Sequence, residues 1–397
     1  MSSIDQLANR LAPHYSHFNV SGRLLFTGHS HQAWPDVALE GLKESYAVAA
    51  KQAGNKWEMA FEKAEVLRSY LRDYYDDPDG YYCLAENTHL LLVAWLSALD
   101  IRNKPKVITT TGEFHSMSRQ LRRLEEEGLE VHMIDAESET MAEEAERLAD
   151  DKTCAIMMSR VYFKSGLINR HIPEIARLAR RKNIPFLMDD YHGTNVVPVS
   201  LREENLEDCY LLTGGYKYLQ WGEGNCFLRF PKDSDLRPAI TGWFASFSTL
   251  NQPGSDTPVH YDKGNQRFAT GTYDPASQYR AARVVEFFRD QKLTPEVLQQ
   301  QYRGQVALLK ELFLQHDFNP ATIRLRHDRP PEENGGFLAL QSPYARELQA
   351  GLLRRGVLTD ARGDVLRIGP APYITGSQIE QAMEHLAACI KKIEKSL

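Results

Sequence analysis

Two short segments carry the residues most able to do chemistry. The run Leu211-Leu212-Thr213-Gly214-Gly215-Tyr216-Lys217-Tyr218 is an apolar strand pattern that ends in two glycines, followed by a lysine between two tyrosines. Glycines let the backbone turn tightly and approach a ligand. A lysine at the mouth of a sheet, between aromatic walls, is partly desolvated. Its pKa falls, which makes it a usable amine nucleophile. The competing role is a surface lysine that snorkels past its tyrosines. The second segment, Pro185-Phe186-Leu187-Met188, is an apolar strand pattern that ends in Asp189-Asp190-Tyr191-His192-Gly193. Acidic residues at the end of a buried strand are costly unless paired. A cationic heterocycle nitrogen suits Asp189 as a partner, and a turn or helix cap is its competing role.

The elements around these segments alternate. Strand patterns are expected at 107–111, 129–134, 154–161, 185–189, 209–214 and 225–230. Helical patterns fall at 35–52, 57–75, 87–99, 116–127, 139–149 and 172–182. Strands alternating with helices predict an α/β fold, with a mostly parallel sheet covered on both faces. Ligands bind such sheets at the carboxyl ends of the strands, where both segments place their polar residues. Asp77-Pro78-Asp79-Gly80 is a turn signal. A loop rich in Gly, Ser, Asp and Pro covers 250–265. Long helices are expected at 275–291 and 295–316. The tail reads as a small α+β domain, with strands at 322–326, 337–341 and 365–368 and helices at 343–355 and 375–392. The expected division is an N-terminal arm over 1–35 that contributes to the small domain and the site, a large domain over 36–300 and a small domain over 301–397.

Composition narrows the function classes. The 397 residues are 42 % apolar and 25 % charged, with a net charge of −6, so no basic patch marks a nucleic-acid binder. No apolar run approaches the ~18 residues of a membrane span. The start, MSSIDQLANRLAPHYS, has no apolar signal core, so a soluble cytoplasmic protein is expected. Five scattered cysteines form no CxxC pair, which argues against a disulfide framework or a zinc ribbon. The phosphate-loop, zincin and nucleophile-elbow motifs are absent. His29-x-His31 lacks a third ligand, so no metal is expected.

The order strand–Asp–x–x–His, then strand–Lys, is that of fold-type-I enzymes dependent on pyridoxal 5'-phosphate (PLP). In these a carboxylate keeps the pyridine nitrogen protonated and the ring becomes an electron sink. MDDYHG followed by TGGYKYL resembles the class V aminotransferase superfamily, and kynureninase in particular. Further segments extend the resemblance along most of the chain. Phe26-Thr27-Gly28-His29-Ser30 resembles a "GNS" segment. Leu84-Ala85-Glu86-Asn87-Thr88-His89 stands at the first phosphate-binding turn, and Glu113-Phe114-His115-Ser116 resembles "EFPS". Gly242-Trp243-Phe244 matches "GWF", Phe268-Ala269-Thr270-Gly271-Thr272 resembles "FxxGT", and Arg367-Ile368-Gly369-Pro370-Ala371-Pro372 resembles "RxxPxP".

The resemblance implies a fold-type-I PLP-dependent transferase fold and a role for each matching residue. Lys217 is the Schiff-base lysine, Asp189 pairs with the pyridine nitrogen, and His192 lies beside the ring. Phe114 stacks on the ring. Ala85, Glu86, Ser116, Trp243 and Thr272 belong to the cofactor cradle, the latter two reaching it from a neighbouring subunit. Tyr216 is a proton donor or relay, or else a phosphate hydrogen bond. Arg367 binds the substrate carboxylate, and Ser30 and His31 line the substrate end. The implied reaction is hydrolytic Cβ–Cγ cleavage of an amino-acid substrate in a homodimer. Class V amino transfer, another PLP-dependent lyase reaction or a non-catalytic PLP-binding role are alternatives. A cysteine desulfurase is disfavoured, because residues 317–388 hold no cysteine for a mobile loop. The chain departs from the pattern at His31, His115 and Met117, where the family has an apolar residue, a proline and an aspartate.

Overall fold

The computed structural model describes residues 3–249 and 258–396, so residues 250–257 of the expected loop lie outside the described part. The N-terminal segment carries α1 (Ser3–Leu11) and β1 (Leu24–Leu25), followed by α2 (Val37–Gln52) and α3 (Trp57–Tyr75). The alternating region then gives β2 (Tyr81–Ala85), α4 (Thr88–Leu96), β3 (Lys106–Thr110), α5 (His115–Glu125) and β4 (Glu130–Ile134). It continues with α6 (Met141–Leu148), β5 (Thr153–Ser159), α7 (Ile172–Lys182), β6 (Phe186–Asp189), β7 (Tyr210–Gly214) and β8 (Cys226–Phe230). Two long helices, α8 (Ala276–Asp290) and α9 (Pro295–Leu314), lead to β9 (Arg324–Leu325), β10 (Leu338–Gln341), α10 (Ala345–Leu353), β11 (Val357–Leu358), β12 (Asp360–Arg362), β13 (Val365–Ile368) and α11 (Gly376–Glu394).

Seven strands form the main sheet in the order β2-β8-β7-β6-β5-β3-β4. The pairs from β7 to β4 are parallel, and β8 runs antiparallel to both of its neighbours. The α/β expectation holds. Strand β5 shows why the sheet must be covered twice. Ile156 and Met158 pack into one apolar cluster while Ala155 and Met157 pack into the other, on opposite faces, as the two-residue period of a strand requires. Four strands were not expected: the two-residue β1 and β11, and the longer β2 and β12. β2 is a short edge strand after the Asp-Pro-Asp-Gly turn, and β12 is three polar-to-small residues that read as loop.

A second sheet, β12-β13-β10-β9, is antiparallel throughout. The N-terminal segment reaches these C-terminal elements, because β1 pairs in parallel with β11. Among the described residues no helix is long and apolar enough to cross a membrane.

The turn before β2 does more than reverse the chain. Asp77 is 2 % exposed and receives Arg229 Nε at 2.8 Å, Arg229 Nη2 at 2.7 Å and the Tyr82 hydroxyl at 2.8 Å. This ion pair locks the turn to β8, the neighbour of β2. Removing one partner of a buried pair leaves an uncompensated charge. Asp77→Ala is therefore expected to cost ~3–5 kcal/mol of stability. Urea unfolding checks this; a loss under 1 kcal/mol would show that water replaces the carboxylate.

Candidate active site

Strand β7 delivers Lys217 to the carboxyl end of the sheet. Its two glycines are there because side chains leave no room. A Cβ on Gly214 would stand 2.2 Å from the Tyr191 hydroxyl, and one on Gly215 would stand 2.8 Å from the Trp221 Cβ. Tyr191 thereby slides under the lysine. The Lys217 Nζ lies 4.4 Å from the Tyr191 ring centroid, 5.4 Å from that of Phe114 and 5.7 Å from that of Tyr216. It donates to His192 Nε2 at 2.9 Å. Lys217 forms no ion pair among the described residues, and burial is the main cause that lowers its pKa to about 7, with Asp189 pulling the other way. The aromatic walls read from the sequence are present, with Tyr191 and Phe114 in place of Tyr218. Tyr218 instead packs in the core against Tyr302.

Asp189 ends β6, two strands from β3, and opens into the same cavity. That cavity encloses about 370 Å³, and its lining includes Asn87, Phe114, Ser116, Asp189, Tyr216 and Lys217. The Asp189 Oδ1 accepts from the Tyr191 backbone N–H at 2.9 Å, and no arginine or lysine pairs with it among the described residues. Burial raises its pKa, and Lys217 opposes the rise. The adjacent Asp190 has a different task. It is fully buried and held by Arg160 Nε at 2.6 Å and the Tyr75 hydroxyl at 2.7 Å, so it is a structural anchor. His192 is kept neutral by burial, with Lys217 and Arg367 as further causes.

The N-terminus of α4 opens at the cavity. Asn87 caps it, its Oδ1 accepting from the Leu90 N–H at 3.0 Å. Asn87, Thr88 and His89 line the cavity, offering backbone N–H groups suited to an anion. Ala85 ends β2 just outside. Glu86 is exposed and accepts from the Asp274 N–H at 3.3 Å, so its carboxylate is held by the 274 loop. Phe114 and Ser116 begin α5. Glu113, just before them, is a buried carboxyl that accepts from Thr110 Oγ1 at 2.6 Å, Ser159 Oγ at 2.6 Å and the Ser159 N–H at 3.1 Å. Burial pushes its pKa to about 7.

Other expected site residues stand apart from the cavity. His31 stacks on Tyr216 with ring centroids 4.9 Å apart and lies 3.8 Å from Glu223, and Ser30 Oγ is 3.0 Å from His31 Nδ1. Trp243 Nε1 donates to Thr272 Oγ1 at 3.3 Å, and neither residue lines the cavity. Arg367 is buried on β13 and does not line the cavity. Its Nε donates to Asp360 Oδ1 at 2.7 Å, its Nη2 to Asp360 Oδ2, and its Nη1 to the Phe163 carbonyl at 2.5 Å. Asp360 and Phe163 were not picked out by sequence reasoning, and the buried His29 beside them was singled out only as half of the His29-x-His31 pair. The available signal was an aspartate on the same face of a hairpin, seven residues before the arginine.

Comparisons with known proteins bear on the fold and on the C-terminal region. The kynureninase C-terminal domain family matches residues 303–386. The uncharacterized aminotransferase YcbU of Bacillus subtilis (strain 168) is 24 % identical over 346 residues, covering 84 % of this chain and 86 % of that protein. A structure of a C-DES lysine mutant with glycine covalently linked to its PLP cofactor aligns with a TM-score of 0.82 at 15 % identity, covering 94 % of this chain and 98 % of the other. The apo cysteine desulfurase of Thermococcus onnurineus NA1 aligns with a TM-score of 0.78 at 15 % identity, covering 97 % and 98 %. Residues 303–386 thus resemble the kynureninase C-terminal domain, the chain as a whole is similar to an aminotransferase, and the fold is the fold-type-I architecture of its PLP-dependent structural neighbours.

Proposed function

We propose that the chain holds PLP on Lys217 and uses it to act on an amino acid, with kynureninase-like hydrolytic Cβ–Cγ cleavage as the reaction. The observation that carries the cofactor reading is the pairing of two groups across one cavity. One is a desolvated amine between aromatic rings; the other is a strand-end carboxylate without an ion-pair partner among the described residues. The residues fit the group. Asn87, Thr88 and His89 suit its phosphate, Phe114 its ring face, and Asp189 its ring nitrogen. The hydrolytic reading is supported by the kynureninase C-terminal match and by the absence of cysteine from residues 317–388. Amino transfer is the second reading, favoured by the long alignment with YcbU. Sulfur chemistry stays in the test as well: cysteine desulfurases are among the fold neighbours, so the earlier expectation against them is not favoured by the fold.

Bound there, PLP supplies an electron sink for bonds to an amino-acid Cα. The chain's own residues do the rest. With its pKa lowered to about 7, a substantial share of the Lys217 amine is neutral at neutral pH and able to take a proton from a carbon acid. His192, held neutral, accepts a hydrogen bond from Lys217 and aims the amine. Tyr216 lines the cavity, and its hydroxyl supplies a group there able to move a proton. The Tyr191, Phe114 and Tyr216 rings exclude water from the amine.

The test is product analysis on a panel of amino acids. Alanine plus an acyl acid supports hydrolysis. A 2-oxo acid, or sulfide from cysteine or cystine, replaces it with transfer or sulfur chemistry. No turnover of any panel member leaves a cofactor-binding protein. Arg367→Lys is expected to weaken amino-acid binding by ~1.5–3 kcal/mol, the range for a charged hydrogen bond. It should also lower the melting temperature, because the Asp360 pair is buried. A lower melting temperature with unchanged KM and kcat would remove Arg367 from the substrate site.

We also propose a homodimer with shared sites. Trp243 (43 % exposed), Phe247 (38 %) and Ile240 (52 %) stand on the surface around a cluster of Trp57, Phe61 and Phe244. Apolar exposure of this kind marks interfaces. Sedimentation of the cofactor-loaded protein should give a dimer, and Trp243→Glu should give monomers that lose PLP. An active monomer would exclude shared sites. A cytoplasmic location is supported by five buried cysteines, none in a disulfide.

A further inference from the structure

We infer that Asp360, supported by His29, is a positioning residue that sets Arg367 for carboxylate binding. This rests on the reading of Arg367 given above. Asp360 and Arg367 are direct cross-strand partners on β12 and β13, so the register of the sheet holds them together. The carboxylate takes Nε and Nη2, one edge of the guanidinium, and the Phe163 carbonyl takes Nη1. An arginine has five N–H donors. Two remain, one on Nη1 and one on Nη2, as donors for a carboxylate. The rings of Phe163 and Phe337, 5.9 Å and 5.6 Å from the Arg367 Cζ, hold the plane.

Asp360 orients Arg367 without cancelling the local charge. Arg362 Nη2 also reaches it at 3.3 Å, so two cations share one anion. His29 adds a neutral donor. Its Nε2 gives a hydrogen bond to Asp360 Oδ1 at 3.0 Å, while burial, with Arg367 second, lowers its pKa to about 4. The fold makes room for this ring: a Cβ on Gly369 would stand 2.1 Å from His29 Nδ1, and one on Gly28 would stand 2.1 Å from the Pro370 carbonyl oxygen. His29 is fully buried against Phe337, with ring centroids 4.7 Å apart. A side chain placed there at such steric cost, with one nitrogen on Asp360, acts on what Asp360 holds.

The experiment compares L-alanine with ethylamine, the same amine lacking the carboxylate. The change in cofactor absorbance on adding each to the PLP-loaded protein gives two dissociation constants. Their ratio measures carboxylate recognition and does not depend on turnover. The wild type is expected to favour L-alanine, and Arg367→Met to lose that preference. If the wild type shows no preference, Arg367 is not the carboxylate residue and the reading beneath this inference fails. Given the preference, Asp360→Asn should reduce it at least tenfold while ethylamine binding stays within twofold. An unchanged or increased ratio would overturn the positioning role, the increase because Asp360 would then be a competitor. His29→Leu should reduce the ratio about threefold. If Asp360→Asn does not yield loaded protein, that variant decides, and an unchanged ratio overturns the inference.

Discussion

Lys217→Ala is expected to lower turnover by ~10⁴-fold, the upper end of what a positioned general base supplies. Two features of the site make the loss that large. The amine is the only one in the cavity lining among the described residues, and the base beside it, His192, is held well below its ordinary basicity by burial. Borohydride treatment of the loaded wild-type protein should fix the cofactor on Lys217, and peptide mapping should find it there. The same residue predicts a pH dependence. The neutral amine is the nucleophile, and its fraction rises as pH passes upward through the pKa. With that pKa lowered to about 7 by burial, PLP uptake by the apo protein should rise between pH 6 and 8 and then level off. A rate still climbing toward pH 10 would mean the amine is solvated. A label on another lysine would remove Lys217 from the chemistry altogether.

Asp189→Asn is the second large effect. The amide cannot hold a proton on a ring nitrogen, so the electron sink is lost. Turnover should fall ~10³-fold, about 4 kcal/mol at ~1.4 kcal/mol per tenfold. The structure shows why this variant isolates the charge. The native Oδ1 accepts only the Tyr191 N–H, and the asparagine Oδ1 can accept it equally. Fold and cofactor content should therefore survive, with a shifted cofactor absorbance. Unchanged turnover would refute the role. Loss of fold would be unexpected, since the buried anchor at this turn is Asp190, held by Arg160.

Much of the fold was legible because its signals are local. Apolar strands alternating with amphipathic helices carry a period that one sheet, covered twice, must satisfy. β2 and β12 were missed for the same reason. One is an edge strand and the other is three residues long, and neither presents an apolar face long enough to show a period. Their pairing is decided by partners far along the chain: β8 lies more than a hundred residues after β2.

The site divides along the same line. Lys217 and Asp189 could be named from sequence because each directly follows an apolar strand, and a strand end fixes where a side chain goes. Gly214 and Gly215 belong to that local code, yet their cause, the Tyr191 and Trp221 side chains, is tertiary. Arg367 could be named but not placed. Whether its guanidinium stood free or was held depended on Asp360 and on His29, 331 residues away from Asp360 in the chain. By itself, then, the sequence determined the sheet, the lysine and the carboxylate. Only the tertiary structure decided what surrounds them: the rings that desolvate the amine, the lack of a cation on Asp189 among the described residues, and the carboxylate on Arg367. Burial and partner geometry set charge and reactivity, and both arise when distant segments close on one another.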